Sequence, residues 1–265
     1  MKGFLRLIAF IVIALFIQSY LAGLFQGFNS TRASCAEIAI PDTIQGNPAV
    51  RHKRFWRDQS NYDRFCMEYA YEDFKNVNSE SYRNQLKTVY TDSYIEYWGH
   101  IYQSLYLQDS SELFNLRDSL RSVQIKKSLD RTEFAHMVVK FVQDIPYNYI
   151  LSEPCEGTKD GRPCRGDSRF GILSPVEFLY SLQGDCDTRT VLLYGLLKAL
   201  DYEPLVLISH EYLHSMLALN IPGAGDYLQH KGQKFYFWET TSTGWEPGML
   251  APDMKNKSYW DIVLD

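Results

Sequence analysis

Cys186 stands in QGDCDTRTVLLYGLL (183–197), behind a Gly-Asp corner and directly ahead of an apolar run. Thiol catalysis needs the thiolate, and a helix starting here offers partial positive charge and free backbone N–H groups that favour it. It also needs a histidine to take the proton and a third polar group to fix the imidazole tautomer. The chain has six histidines: His52, His100, His136, His210, His214 and His230. The first three belong to the N-terminal half, with His136 inside a periodic helix. His214 opens HSMLALNI (214–221), where strand alternation aims it at one face. His210, at the end of the preceding strand, is its rival. Downstream, YFWETTS (236–242) carries one acid, Glu239. Gln183 can donate to an oxyanion alongside the Cys186 backbone N–H; a simple turn residue is its other reading.

The elements that must hold these residues are legible as changes of period. TEFAHMVVKFVQDI (132–145) places Phe134, Met137, Val138, Phe141 and Ile145 on one helical face, with Thr132 as N-cap and Pro146 as the stop. YDRFCMEYAYEDF (62–74) and SYIEYWGHIYQSLYL (93–107) also repeat apolar residues every three or four positions and read as helices. SPVEFLYSL (174–182) reads as a short helix with Pro175 at its first position. Asp185 then caps a helix from Cys186 to about Leu200, with Val191, Leu192, Leu196 and Leu200 inward. After it the period becomes two: PLVLIS (204–209) and HSMLALNI read as paired strands, and KFYFWETT (234–241) as a third. A cysteine-bearing helix packed on an antiparallel sheet gives the expected class, α+β. The domain reading is an N-terminal anchor or signal over 1–25, a linker over 26–54, a helical region over 55–131 and a catalytic domain over 132–265.

IPYNY (145–149), SPVEFLYSLQGDCDTRTVLLYGLLKAL (174–200), HSMLAL (214–219) and YFWETTSTGWEPG (236–248) together resemble the transglutaminase-like cysteine enzymes. The resemblance covers roughly residues 132–250 and implies a papain-like core. It also implies roles: Cys186 as nucleophile, His214 as general base and acid, Glu239 as the residue orienting the imidazole. The family usually carries aspartate in the third role, and PGAGDYLQHKGQ (222–233) makes the hairpin before Glu239 longer than the minimum. Asp253 and Asp261 are the alternative acids. The superfamily includes crosslinking acyltransferases, peptidases, amidases and inactive members. The parts imply attack on an amide carbonyl and a thioester intermediate, with no cofactor and no metal. Hydrolysis of a protein or peptide of the cell envelope is favoured, and the alternatives are protein crosslinking and a non-catalytic peptide-binding module. Trp238, Trp245, Tyr147 and Tyr212 are candidate cleft residues.

The rest of the chain bears on where this happens. Lys2 and Arg6 precede an apolar stretch from Leu7 to Phe25 whose 19 residues, at ~1.5 Å each, nearly cross a bilayer core. A retained anchor is favoured over a cleaved signal, and either places the remainder outside the cytoplasm. Export makes the five cysteines informative, because structural cysteines pair in an oxidising compartment. Cys155 and Cys164 bracket a polar loop that a disulfide can close, Cys35 can pair with Cys66, and Cys186 is left over. The Cys155–Cys164 loop lacks the CxxC or nearby histidine that a metal site would need. RHKRFWR (51–57) reads as a solvated helix start. A net charge of −5 excludes the basic surplus of a nucleic-acid binder.

Overall fold

The computed structural model describes residues 37–58 and 63–265. Its first elements are three antiparallel strands in the order β1 (Ile38–Ile44), β2 (Asn47–Arg57) and β3 (Arg64–Glu72). This corrects the expected linker over 26–54 and the helical start at 55. RHKRFWR lies on β2, where His52, Arg54 and Trp56 alternate inward. The segment read as a helix from 62 alternates too, burying Phe65, Met67, Tyr69 and Tyr71 on β3. Every second inward residue of a strand also falls four apart, so the aromatic spacing satisfied both periods.

Helices follow: α1 (Asp73–Gln85), α2 (Tyr94–Asp109), α3 (Phe114–Lys127) and α4 (Arg131–Gln143). Ser93 caps α2 by accepting from Glu96 N. The cap of α4 is Asp130 rather than Thr132, because Asp130 and Glu133 form a reciprocal capping box. Phe134, Met137, Val138, Phe141 and Ile145 are all buried, as the periodicity predicts. Three short strands then close a loop: β4 (Tyr149–Ile150), β5 (Thr158–Lys159) and β6 (Arg162–Arg165). Cys155 and Cys164 are joined across it with Cα atoms 6.2 Å apart.

The second half matches the expectation closely. Pro175 opens α5 (Pro175–Ser181), with Ser174 and Glu177 in a capping box. Asp185 caps α6 (Cys186–Ala199) by accepting from Thr188 N. A five-stranded antiparallel sheet follows in the order β11-β7-β8-β10-β9, built from β7 (Pro204–Ser209), β8 (His214–Leu219), β9 (Tyr227–His230), β10 (Gln233–Trp238) and β11 (Asp261–Leu264). The long hairpin before Glu239 supplies β9, and β11 is an edge strand that its four residues gave no period to reveal. Helix α6 packs against β7 and β8. Val206, Ile208, Leu217 and Leu219 join the helical core, while Leu205, Leu207, Met216 and Ala218 meet Phe237, Leu250 and Trp260 on the other face. The protein is thus α+β with antiparallel sheets. Among the described residues no helix is long and apolar enough to cross a membrane. The expected span over 7–25 and Cys35, with its suggested pairing to Cys66, lie outside the described residues.

Candidate active site

The corner ahead of Cys186 is set by close packing. A Cβ at Gly184 would come within 2.9 Å of both Phe178 Cδ2 and Thr188 Cγ2, so the chain passes here only without a side chain. Asp185 follows in extended conformation and holds Thr188 N at 3.2 Å. Cys186 is then the first helical residue, a free thiol that is 7% exposed. Its backbone N–H, one of the donors the helix itself leaves free, lies beside the Tyr147 hydroxyl.

His214 is the first residue of β8, and Glu239 follows the last residue of β10. Antiparallel pairing of these strands, with Trp238 opposite Leu217, brings both to one end of the sheet. His214 Nε2 lies 2.9 Å from Glu239 Oε2, and the imidazole also interacts with the Cys186 thiol. With Nε2 committed to the acid, Nδ1 is the nitrogen left for the thiol. Glu239 Oε1 accepts from Thr240 N at 2.8 Å, Thr241 N at 3.0 Å and Thr241 Oγ1 at 2.8 Å. Both oxygens of this buried carboxylate are therefore satisfied. Gln143 Nε2 fixes the same residue from behind, donating to the Glu239 carbonyl at 2.7 Å. Trp260 packs edge-on against the His214 ring at 6.0 Å.

Charge follows from this packing. Burial works against Glu239 ionisation, but the hydrogen bond and charge of His214, with Thr241, outweigh it and hold the carboxyl below its ordinary range. Burial disfavours imidazolium, yet hydrogen bonds and charges from Cys186 and Glu239 raise His214 well above its ordinary value. Burial pushes the Cys186 thiol up, and Asp187 adds to that, while His214 pulls it down. The expected lowering of the thiol by the helix start is thus offset by the acid in the same first turn. The pair holds a transferable proton whose move to His214 is favoured by Glu239 and opposed by burial of the thiolate.

Several residues around the site escaped the sequence reading. Tyr102 on α2 donates to Asp187 Oδ1 at 2.5 Å, tying the helical half to the first turn of α6. Tyr94, pushed up by burial and by the charges of Asp187 and Cys186, lines a groove of about 470 Å³ with Tyr97 and His210. Arg189 is fully buried and spreads its guanidinium over five carbonyls, those of Gly184, Val142, Thr240, Ile145 and Pro146. Its signal is a cation just ahead of the apolar run of α6, away from the last turn where Lys198 sits. Of the other candidates, His210 is exposed and meets Tyr94 edge-on at 4.9 Å, and Asp253 and Asp261 are exposed. Gln183 is half-buried, with its backbone N–H donating to Ser181 Oγ at 3.3 Å. Trp238 is buried in the core against His136, Trp245 donates to Ser242 Oγ, and Tyr212 stacks on Trp260. Among the described residues no group of His, Cys, Asp and Glu side chains is arranged to hold a metal ion.

No family model matches the chain, and no curated protein or solved structure matches it.

Proposed function

We propose that the protein is a thiol enzyme of transglutaminase-like type with a papain-like core, cleaving amide bonds of proteins or peptides in the cell envelope. The observation that carries the reading is His214, hydrogen-bonded to the fully satisfied Glu239 and in interaction with the Cys186 thiol. Neither a core cysteine nor a surface acid requires that order of groups at one end of a sheet.

Catalysis begins as Sγ of Cys186 passes its proton to His214 and attacks the amide carbonyl carbon, forming the S–C bond. Glu239 stabilises the imidazolium and keeps its ring oriented. The carbonyl oxygen, now negative, develops beside the Cys186 N–H, where the neighbouring Tyr147 hydroxyl can donate to it. Gln183 is the second candidate for this place. Collapse breaks the C–N bond, and His214 gives its proton to the departing amine. Water, deprotonated by His214, then attacks the thioester, releases the acid and restores the thiol. A lysine amine in place of that water would make a crosslink, and hydrolysis is preferred because it needs no second docked chain.

The disulfide Cys155–Cys164 supports an extracytoplasmic setting, since such a bond persists outside a reducing cytoplasm. Residues 7–25 would tether the domain to the membrane.

The test is the rate at which a thiol-reactive probe labels the wild type, Cys186→Ala and His214→Ala. Labelling should be confined to Cys186 and should slow sharply in His214→Ala. A His214→Ala rate equal to wild type would reduce the protein to a binding module. Mass spectrometry of envelope proteins with and without Cys186 then identifies the substrate, and incorporation of a tagged amine separates transfer from hydrolysis.

A further inference from the structure

Arg189 lies one turn beyond Cys186 on α6, and no step above uses it. Its Nε donates to Gly184 O at 3.0 Å, its Nη1 to Val142 O at 2.9 Å and Thr240 O at 3.3 Å, and its Nη2 to Ile145 O at 2.6 Å and Pro146 O at 2.8 Å. A guanidinium has five N–H groups in a fixed fork, so this one is used to capacity. The acceptors come from three separate stretches, and each stretch adjoins a residue of the site. Pro146 precedes Tyr147, Gly184 stands two before Cys186, and Thr240 follows Glu239. The guanidinium also lies 5.5 Å from the centre of the Tyr147 ring.

Among the described residues no carboxylate pairs with this buried cation directly. Holding an unpaired charge in the interior is costly, and a core of this size has cheaper ways to bridge three loops. The groups that offset its burial are those of the site. Desolvation pulls Arg189 down to about 10, which still leaves it charged at neutral pH, and Tyr147, Asp185, Cys186 and Glu239 work against that pull.

We propose that Arg189 is the positioning residue of this site: one guanidinium holds the Cys186 corner, the Glu239 segment and the Tyr147 turn in register, and its permanent charge favours Cys186 as thiolate. This rests on the Cys186–His214–Glu239 reading. The other groups acting on Cys186 are Asp185 at the cap of α6, Asp187 in its first turn, His214 on β8, Tyr147 before β4, and Tyr94 and Tyr102 on α2. None of the acids or tyrosines supplies a positive charge when His214 is neutral. Lysine, with three donors on one point, cannot reproduce the five contacts.

The experiment is the iodoacetamide alkylation rate of Cys186 against pH, read by mass spectrometry of its peptide. It compares wild type with His214→Ala, Arg189→Lys and Arg189→Ala, the last also with added guanidinium chloride or equal sodium chloride. In Arg189→Ala the rate at neutral pH should fall about tenfold or more, as the midpoint moves up by about one pH unit. Guanidinium should restore part of the rate and sodium chloride should not, while Arg189→Lys should give an intermediate profile. A folded Arg189→Ala with the wild-type rate and midpoint overturns the proposal, as does equal recovery with both salts. Should Arg189→Ala fail to fold, Arg189→Lys decides. A native melting transition with a slowed rate supports the role; a wild-type profile, or failure to fold, leaves Arg189 a purely structural residue. If His214→Ala matches wild type, the triad reading itself fails, an outcome separate from any Arg189 arm.

Discussion

His214 Nε2 faces Glu239 Oε2 at 2.9 Å, while the other oxygen of the same carboxylate is surrounded by three donors from Thr240 and Thr241. This asymmetry dictates what a Glu239→Gln variant must do. The amide oxygen has to replace Oε1, because two backbone N–H groups cannot rotate away. The amide NH₂ then points at His214 Nε2 and forces that nitrogen to accept. The ring proton moves to Nδ1, facing Cys186, and the base is lost. Turnover should fall about 10³- to 10⁴-fold, still short of the loss in Cys186→Ala, and Cys186 alkylation at neutral pH should slow in parallel. Unchanged turnover and an unchanged alkylation profile would return the third role to Asp253, Asp261 or no acid.

Tyr147→Phe separates two functions of the thiol. Alkylation by iodoacetamide builds no oxyanion, whereas amide attack does. Removal of the hydroxyl should therefore lower amide turnover by about 10²-fold or more and leave alkylation within a few-fold of wild type. Equal losses in both measurements would show instead that the ring merely supports the corner.

Asp109 provides a pH signature of stability independent of catalysis. The residue is buried between α1 and α5, accepting from Ser79 Oγ at 2.6 Å and Val176 N at 2.9 Å. Burial pushes its carboxyl up to about 6 from 3.8, aided by Glu177 and opposed by Ser79, Val176 and Ser174. Between those values the folded chain holds a proton that the unfolded chain has released. Stability should therefore fall as pH rises from about 4 to 6, by up to about 3 kcal/mol. Urea denaturation across this range should show that slope in wild type and lose it in Asp109→Asn.

The Cys155–Cys164 bond closes a loop with a sequence separation of 9. The chain-entropy account gives about 2–3 kcal/mol for such a closure. The Cys155→Ser/Cys164→Ser double variant should therefore unfold at lower urea, with Cys186 still reactive. Peptide mapping that found Cys186 in the bond would overturn both assignments.

What the sequence revealed tracks how locally each feature is encoded. The α6 start was legible because Gly184, Asp185 and Cys186 are consecutive and a long apolar run follows. His214 and Glu239 were legible because each opens or ends a stretch of period two. The three-stranded sheet was misread because Phe65, Tyr69 and their neighbours fit a helix and a strand equally well at four-residue spacing. Tyr102, Arg189 and Trp260 were missed for another reason. Their partners are 85, about 50 and about 46 positions away along the chain, and no local pattern records such distant contacts. Tyr147 was legible as an aromatic near the cleft, but its place beside the Cys186 N–H depends on how the turn after α4 meets α6.

The edge-on contact between His214 and Trp260 gives this protein an optical handle on its proposed base. An indole senses the charge of a ring packed against it, so gain or loss of the His214 proton changes the light that Trp260 emits. The other tryptophans, Trp56, Trp98, Trp238 and Trp245, supply a background that a Trp260→Phe variant isolates by subtraction. Excited-state spectroscopy can thus follow the protonation of His214 before any substrate has been found.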